Sequence, residues 1–105
     1  VRILDLSNNK LSSLLGLTYL ISIEVFNLDH NCISSLRGIE ECITLTKLTC
    51  NDNFIEKLSD IKPLKELHTL EFANNKLKNF PEIVLTLEQL PKLKVLSLKG
   101  HTVIL

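Results

Sequence analysis

Cysteine and histidine are the side chains in this sequence that are best suited to nucleophilic, redox or metal chemistry. Cysteines stand at positions 32, 42 and 50, and histidines at positions 30, 68 and 101. The odd number of cysteines and the absence of a C-x-x-C pair fit neither a disulfide-capped extracellular module nor a zinc site. The sequence also lacks a glycine-rich phosphate loop and a G-x-S-x-G nucleophile motif. It therefore predicts no catalytic residue, no metal and no cofactor, and we interpret the chain as not being an enzyme.

One polar residue type recurs at a fixed interval. Asn9, Asn31, Asn53 and Asn75 each follow the previous one by 22 residues. The amide side chain carries two donor hydrogens and an acceptor oxygen, so it can satisfy backbone groups where a strand turns into a loop. We predict that these four residues form a structural ladder rather than a ligand site.

The apolar residues that must position this ladder share its period. Counting each unit from Val1, Ile23, Leu45 and Leu67, seven apolar columns are filled in the first three units. Position four holds Leu4, Phe26, Leu48 and Leu70, position six holds Leu6, Leu28, Cys50 and Phe72, and position fourteen holds Leu14, Leu36, Leu58 and Phe80. Alternation around positions four and six predicts one short strand per unit. The segment that leads from the end of one strand to the start of the next, here called the return, is short, so successive strands are parallel. Apolar residues at every third position of the return predict a tight 3₁₀-like path.

The fourth unit is longer than the others, because 26 residues separate Leu67 from Leu93. Pro81 can open a helix there, and Pro91 can end the segment. We therefore predict one true helix in this return. Leu93, Leu96, Leu98 and Val103 restart the pattern as a fifth unit, in which His101 stands where the ladder expects asparagine, so the ladder should end there.

The repeated unit L-x-x-L-x-L-x-x-N-x-L resembles the leucine-rich repeat. The continuations from Leu14 to Leu17 and from Leu36 to Ile39 are similar to the short 22-residue class, found in a regulatory subunit of protein phosphatase 1 and in an axonemal dynein light chain. The resemblance implies an α/β fold: a right-handed solenoid with a curved parallel β-sheet on its concave face and short 3₁₀ or α segments on its convex face. Residues 1–105 then form one domain with repeats at approximately 1–22, 23–44, 45–66, 67–92 and a partial 93–105, which we interpret as a fragment of a longer chain.

Charge and hydropathy limit the classes of partner. Twelve basic residues balance twelve acidic ones, whereas nucleic-acid binders normally carry a basic excess, so we expect no direct nucleic-acid contact. No uncharged apolar run approaches the roughly 18 residues that a membrane-spanning helix needs. No small-molecule substrate is expected either. We expect an intracellular location, with the cytoplasm favoured over the cilium or the nucleus.

Two surfaces are candidates for binding a partner. The first is the concave face, where side chains between the core positions should point outward; its residues are Ile3, Asp5, Val25, Asn27, Asp29, Lys47, Thr49, Asn51, Thr69 and Glu71. The second is a rim at position ten, where Cys32 and Phe54 are flanked by Lys10 and Lys76. The Phe54 side chain is either exposed as an anchor or folded back over the core. We expect charge reversal at Asp29 and Glu71 to leave the fold intact while weakening a partner on the concave face.

These observations favour a non-catalytic protein–protein interaction scaffold that binds another protein or a peptide segment through the concave sheet. The alternative is a recognition arm of an enzyme whose catalytic domain lies outside this segment. A third hypothesis is a component of an RNA-bound complex, in which the repeats bind a protein that carries the RNA.

Overall fold

A computed structural model describes residues 2–16, 22–98 and 101–104 of the chain. Its framework is one six-stranded sheet in sequence order. The strands are β1 (Ile3–Asp5), β2 (Val25–Asn27), β3 (Lys47–Thr49), β4 (Thr69–Glu71), β5 (Val95–Leu98) and β6 (His101–Ile104). The first five strands are parallel, which confirms the predicted parallel arrangement.

The register of the sheet follows the sequence period directly. Ile3, Val25, Lys47 and Thr69 lie opposite one another on neighbouring strands, each 22 residues after the last. Equivalent positions of successive units therefore stack in columns. Where a column points inward, its side chains pack against those of the neighbouring repeats.

The core lies behind the sheet and is a stack of aliphatic layers. In the second and third units every predicted apolar column is buried: Ile23, Phe26, Leu28, Ile33, Leu36, Ile39, Cys42, Leu45, Leu48, Cys50, Ile55, Leu58, Ile61 and Leu64. The first unit is more open, because Leu4, Leu6 and Leu11 are only partly buried. Val1, Leu17 and Leu20, which fill three of the seven apolar columns in the first unit, lie outside the described residues.

The returns on the other side of the core are short. Single 3₁₀ turns occupy Ile39–Glu41 and Ser59–Ile61, as the three-residue spacing predicts. The longer fourth unit forms the predicted helix, α1 (Phe80–Glu88). It begins after Asn79, whose side-chain oxygen accepts a hydrogen bond from the Glu82 N–H at 3.3 Å. This is the hydrogen bond of a helix N-cap, although the Asn79 backbone is in the left-handed region. No helix in the described part of the chain is long and apolar enough to cross a membrane.

Two details of the fourth and fifth units differ from the sequence prediction. Phe80 is 56 % exposed rather than part of the core, because it begins α1 and the inward positions of that helix are Ile83 and Thr86. The fifth unit does not continue as a further parallel turn. β6 instead pairs antiparallel with β5, with Leu98 opposite His101, so the ladder position is replaced by a hairpin partner that covers the free edge of β5.

Candidate protein-binding surface

The asparagine column fixes the loop that follows each strand. The Asn53 side-chain nitrogen donates to the carbonyls of Leu28 at 3.0 Å, Cys50 at 3.2 Å and Asn51 at 3.1 Å. Its oxygen accepts from the Ile33 N–H at 3.1 Å. Leu28 and Ile33 belong to the preceding repeat, so one buried amide joins two neighbouring loops.

The same set of four hydrogen bonds recurs at Asn31 and Asn75. Asn9 differs, since it is exposed and donates only to two carbonyls of its own repeat, those of Leu6 and Ser7. The ladder is therefore complete in the second, third and fourth repeats and partial in the first.

A backbone feature that the sequence analysis missed aims each asparagine inward. The residue before it is in the left-handed region in all four repeats, with φ of 56° or 57° at Asn8, His30, Asp52 and Asn74. Asparagine, aspartate and histidine tolerate this region better than other non-glycine residues. The restriction of position eight to these three types was the signal in the sequence.

Position seven carries a second set of hydrogen bonds, on the concave side of the strand ends. An Asp29 carboxylate oxygen accepts from the Asn51 N–H at 2.7 Å, and the Asn51 side-chain oxygen accepts from the Ala73 N–H at 2.7 Å. A basic side chain at position 29 would remove this acceptor from a backbone donor and should cost stability. That charge reversal at Asp29 leaves the fold intact stays a prediction.

The concave face holds a shallow groove of about 330 Å³. Eight of the ten predicted concave residues line it together with Leu4: Ile3, Asp5, Val25, Asn27, Asp29, Lys47, Thr49 and Glu71. The other two, Asn51 and Thr69, are half-buried on the same strands and their extensions but do not line the groove. The structure thus brings the predicted residues together, and what binds there remains a prediction.

Thr49 departs from its predicted exposure. Only 7 % of its surface is accessible, because the longer side chains of Asn27 and Glu71 flank it in register on β2 and β4. Its Oγ1 atom is buried and has no hydrogen-bond partner among the described residues. Buried hydroxyls are normally paired, so Thr49 is an unsatisfied polar group at the floor of the groove.

The groove is more acidic than basic, with the carboxylates of Asp5, Asp29 and Glu71 and the single ammonium of Lys47. The hydroxyl and the backbone N–H of Ser7 donate to Asp5 and hold the pKa of that carboxyl below its ordinary value. A positively charged group is favoured here over an anion.

The rim residues are both at the surface. Phe54 is 50 % exposed and Cys32 is exposed, while their N–H groups donate to the carbonyls of Ile33 and Leu11 in the preceding repeats. Of the two alternatives for the Phe54 side chain, the structure shows the exposed one. Cys42 and Cys50 are buried free thiols, and burial raises the pKa of both.

The described surface also contains a second, smaller cleft, and it lacks a cluster of metal-binding side chains. A cleft of about 120 Å³ lies at the far end of the stack and is lined by Phe72, Asn74, Asn75, Leu77, Phe80 and Leu98. No cluster of three or more histidine, cysteine, aspartate or glutamate side chains suited to a metal ion occurs within residues 2–16 and 22–98.

Comparison with known proteins identifies the fold. No protein-family model and no curated protein sequence matches the chain. Three solved structures from Listeria monocytogenes are similar: internalin C2 (22 % identity, TM-score 0.85), the internalin inlF (23 %, 0.84) and the functional domain of InlJ (20 %, 0.61). They align with 93, 96 and 95 % of this chain.

The chain spans less than half of each of these structures, at 42, 29 and 25 % of their lengths. At this level of identity the likeness concerns the fold. Together with the 22-residue register, the stacked core columns and the asparagine ladder, it shows that the chain has the fold of a leucine-rich-repeat protein.

Proposed function

We propose that this domain is a non-catalytic scaffold that binds another protein through its concave face. The observation that carries the proposal is the groove itself. Both faces of a parallel sheet are usually covered, and here one face packs on the core while the concave face is covered by no described residue. Ile3 is 68 % exposed at one end of the groove, a position that a docked partner would bury.

The chemistry of the groove suits a polypeptide. Its lining combines aliphatic side chains at Ile3 and Val25 with carboxylates at Asp29 and Glu71. Interfaces between proteins join an apolar centre to polar groups in the same way. The fold shared with the internalins supports an interaction role in general terms.

The described residues offer little for catalysis. The His68 Nδ1 atom lies 2.9 Å from the Thr69 Oγ1 atom, but no described carboxylate is paired with His68. His30 is in a different repeat, with its Nε2 atom 3.4 Å from an Asp52 carboxylate oxygen. A nucleophile needs a base that is itself oriented by a third group, so we assign no reaction to this domain.

A pair of arginine substitutions tests the concave face. Ile3→Arg with Glu71→Arg places long side chains across the groove without removing a backbone hydrogen bond. The matched control, Leu85→Arg with Glu88→Arg, makes the same two changes on the exposed face of α1. The natural protein that carries these repeats is cross-linked in its own cells, purified in each form and analysed by quantitative mass spectrometry.

We expect at least one protein to be lost from the groove variant and retained by the α1 variant. Equal recovery from the two variants would overturn the proposal of concave-face binding. Circular dichroism of both purified variants checks that they remain folded.

We also propose that the domain works in a reducing, intracellular compartment. Its three free thiols, at Cys32, Cys42 and Cys50, support this. Alkylation of intact cells followed by mass spectrometry should find Cys32 as a free thiol. Recovery of Cys32 in a stable disulfide would contradict the proposal.

A further inference from the structure

The groove floor contains a hydroxyl that nothing in the described protein satisfies. Thr49 is more than nine-tenths buried and its side chain lines the groove, yet Oγ1 has no hydrogen-bond partner among the described residues. A neighbouring threonine shows the usual arrangement, since Thr46 Oγ1 donates to the Glu24 carbonyl at 3.0 Å. An orphaned hydroxyl that lines a groove is a position where a ligand group can complete the bonding.

Two carboxylates near this hydroxyl are held in place by Asn51, which lies two residues beyond Thr49. The Asn51 N–H donates to Asp29 Oδ1 at 2.7 Å, and Asn51 Nδ2 donates to Glu71 Oε1 at 3.2 Å. The second oxygens, Asp29 Oδ2 and Glu71 Oε2, accept no hydrogen bond from any residue that the structure describes. Glu71 lies opposite Thr49 on β4, and Asp29 lies two residues beyond Asn27, the β2 partner of Thr49. Two oriented carboxylates with free acceptor capacity are therefore close to Thr49.

The single cation of the groove does not neutralise this site. Lys47 lies two residues before Thr49 on β3, about 6.6 Å along the strand at the usual rise per residue. It forms no ion pair with a described residue, and its side chain is exposed. The site around Thr49 thus retains an excess of negative charge.

An apolar position lies at a fixed distance from the site. Val25 is one strand and two residues away from Thr49, which corresponds to about 8 Å given the usual strand spacing and rise. Ile3 extends this apolar surface on β1, next to Val25. In an extended peptide about 8 Å is the span of two or three residues.

We propose that the groove binds a partner segment whose lysine or arginine side chain lodges over Thr49, between Asp29 and Glu71. An aliphatic residue two or three positions away in that segment packs on Val25 and Ile3. The cation donates to the free oxygens of the two carboxylates and to Thr49 Oγ1. This inference rests on the proposed concave-face function and names the chemistry of the partner.

The test uses a library of random peptides of about a dozen residues, displayed on phage and selected against the intact protein. We expect enrichment of lysine or arginine at a constant spacing from leucine, isoleucine or valine. A synthetic copy of the best peptide is then compared with copies in which the basic residue is lysine, arginine or norleucine. The lysine and arginine copies distinguish an ammonium from a guanidinium, and norleucine removes the charge.

Three protein variants report on the site. Asp29→Asn with Glu71→Gln keeps the acceptor oxygens and removes the charges, and it should weaken the peptide about tenfold or more, as should norleucine. Thr49→Val removes only the hydroxyl and should weaken binding roughly threefold. The control Glu41→Gln with Glu88→Gln removes two exposed carboxylates outside the groove and should leave the affinity unchanged.

The outcomes separate this inference from the proposed function. Peptides that lose affinity for the Ile3→Arg, Glu71→Arg variant but not for the Asp29→Asn, Glu71→Gln variant would overturn the inference and leave concave-face binding intact. Peptides that bind all variants equally would contradict both. Failure to enrich any basic sequence would also overturn the inference.

Discussion

Asn53 and Asn9 hold the same position of their repeats but have different surroundings. Asn53 is 3 % exposed and makes four hydrogen bonds, one of which it accepts from a backbone N–H of the preceding repeat. Asn9 is exposed and makes two, both within its own repeat. Because water can replace the bonds of Asn9, the same deletion should cost much less there than in the interior.

Asn53→Ala should lower the free energy of unfolding by about 1–3 kcal/mol, since it leaves buried backbone groups unpaired. Asn9→Ala should lower it by less than about 1 kcal/mol. Urea denaturation followed by circular dichroism measures both. Equal losses would show that the ladder does not act through buried hydrogen bonds.

Valine substitutions at Thr49 and Thr46 should change the free energy of unfolding in opposite directions. Thr49→Val removes an unpaired buried hydroxyl and should raise the free energy of unfolding by roughly 1 kcal/mol. Thr46→Val removes a hydroxyl that donates to the Glu24 carbonyl and should lower it by about 1 kcal/mol. The same denaturation measurement applies, and a loss of stability in Thr49→Val would show that its hydroxyl is satisfied.

The role of a residue can be predicted well from the sequence where its side chain needs partners that the repeat period places beside it. Asparagine needs backbone partners, and its recurrence every 22 residues places those partners in register. The burial of Thr49 could not be predicted in this way, since alternation indicates the face of a strand but not the length of the neighbouring side chains. The role of Asp29 was missed for a similar reason. The carboxylate of an acidic residue at a strand end can be hydrated or can accept a hydrogen bond from a backbone N–H, and the sequence does not distinguish the two.

At the scale of elements, the returns are where packing is most sensitive to backbone shape. Gly16 and Gly38 occupy the same position of the first two repeats, with φ of 95° and 108°. A Cβ atom on Gly38 would lie 3.1 Å from the Leu14 carbonyl oxygen, whereas one on Gly16 would meet nothing within 4 Å. The second return therefore packs closely on the first.

Gly38→Ala should destabilise the protein more than Gly16→Ala. Both substitutions force an L-residue into a strained φ, at about 1–2 kcal/mol, and only Gly38→Ala adds a close contact with the neighbouring repeat. We expect a lower melting temperature for Gly38→Ala in calorimetry. An equal melting temperature for the two variants would mean that the returns separate without cost.

The elements of the last two repeats were only partly predictable. Helix α1 follows from Pro81 and the longer spacing, because both act on the local backbone. The exposure of Phe80 and the antiparallel pairing of β6 do not follow from a repeat period. A period describes how a unit stacks on an identical unit, and both features arise where the next unit is not identical.

For the whole molecule, stability should vary along the stack. Each repeat contacts only its neighbours, and the described first repeat has a neighbour on one side alone. Its core residues Leu4, Leu6 and Leu11 are only partly buried, while those of the second and third repeats are fully buried. Opening of the first repeat should therefore require less free energy than opening of the middle.

Amide hydrogen exchange can measure how stability varies along the stack, because equivalent inter-strand hydrogen bonds occur in successive repeats. The N–H groups of Leu6, Leu28 and Cys50 each donate to the next strand, at 2.9, 2.7 and 2.8 Å. We expect the Leu6 amide to exchange at least about tenfold faster than the other two. Equal protection would show that further structure packs against β1.

The recurring hydrogen bonds of Asn31, Asn53 and Asn75 also bear on how such a molecule can change in size. Each asparagine contacts its own loop and the preceding one through the same atoms, so the junctions between these repeats are chemically interchangeable. Duplication or loss of one whole 22-residue unit in the middle would create no new kind of junction. An insertion of another length keeps the register only where the segment between two strands absorbs it, as α1 does in the fourth repeat. A gene encoding this fold can therefore lengthen or shorten its concave face in whole steps.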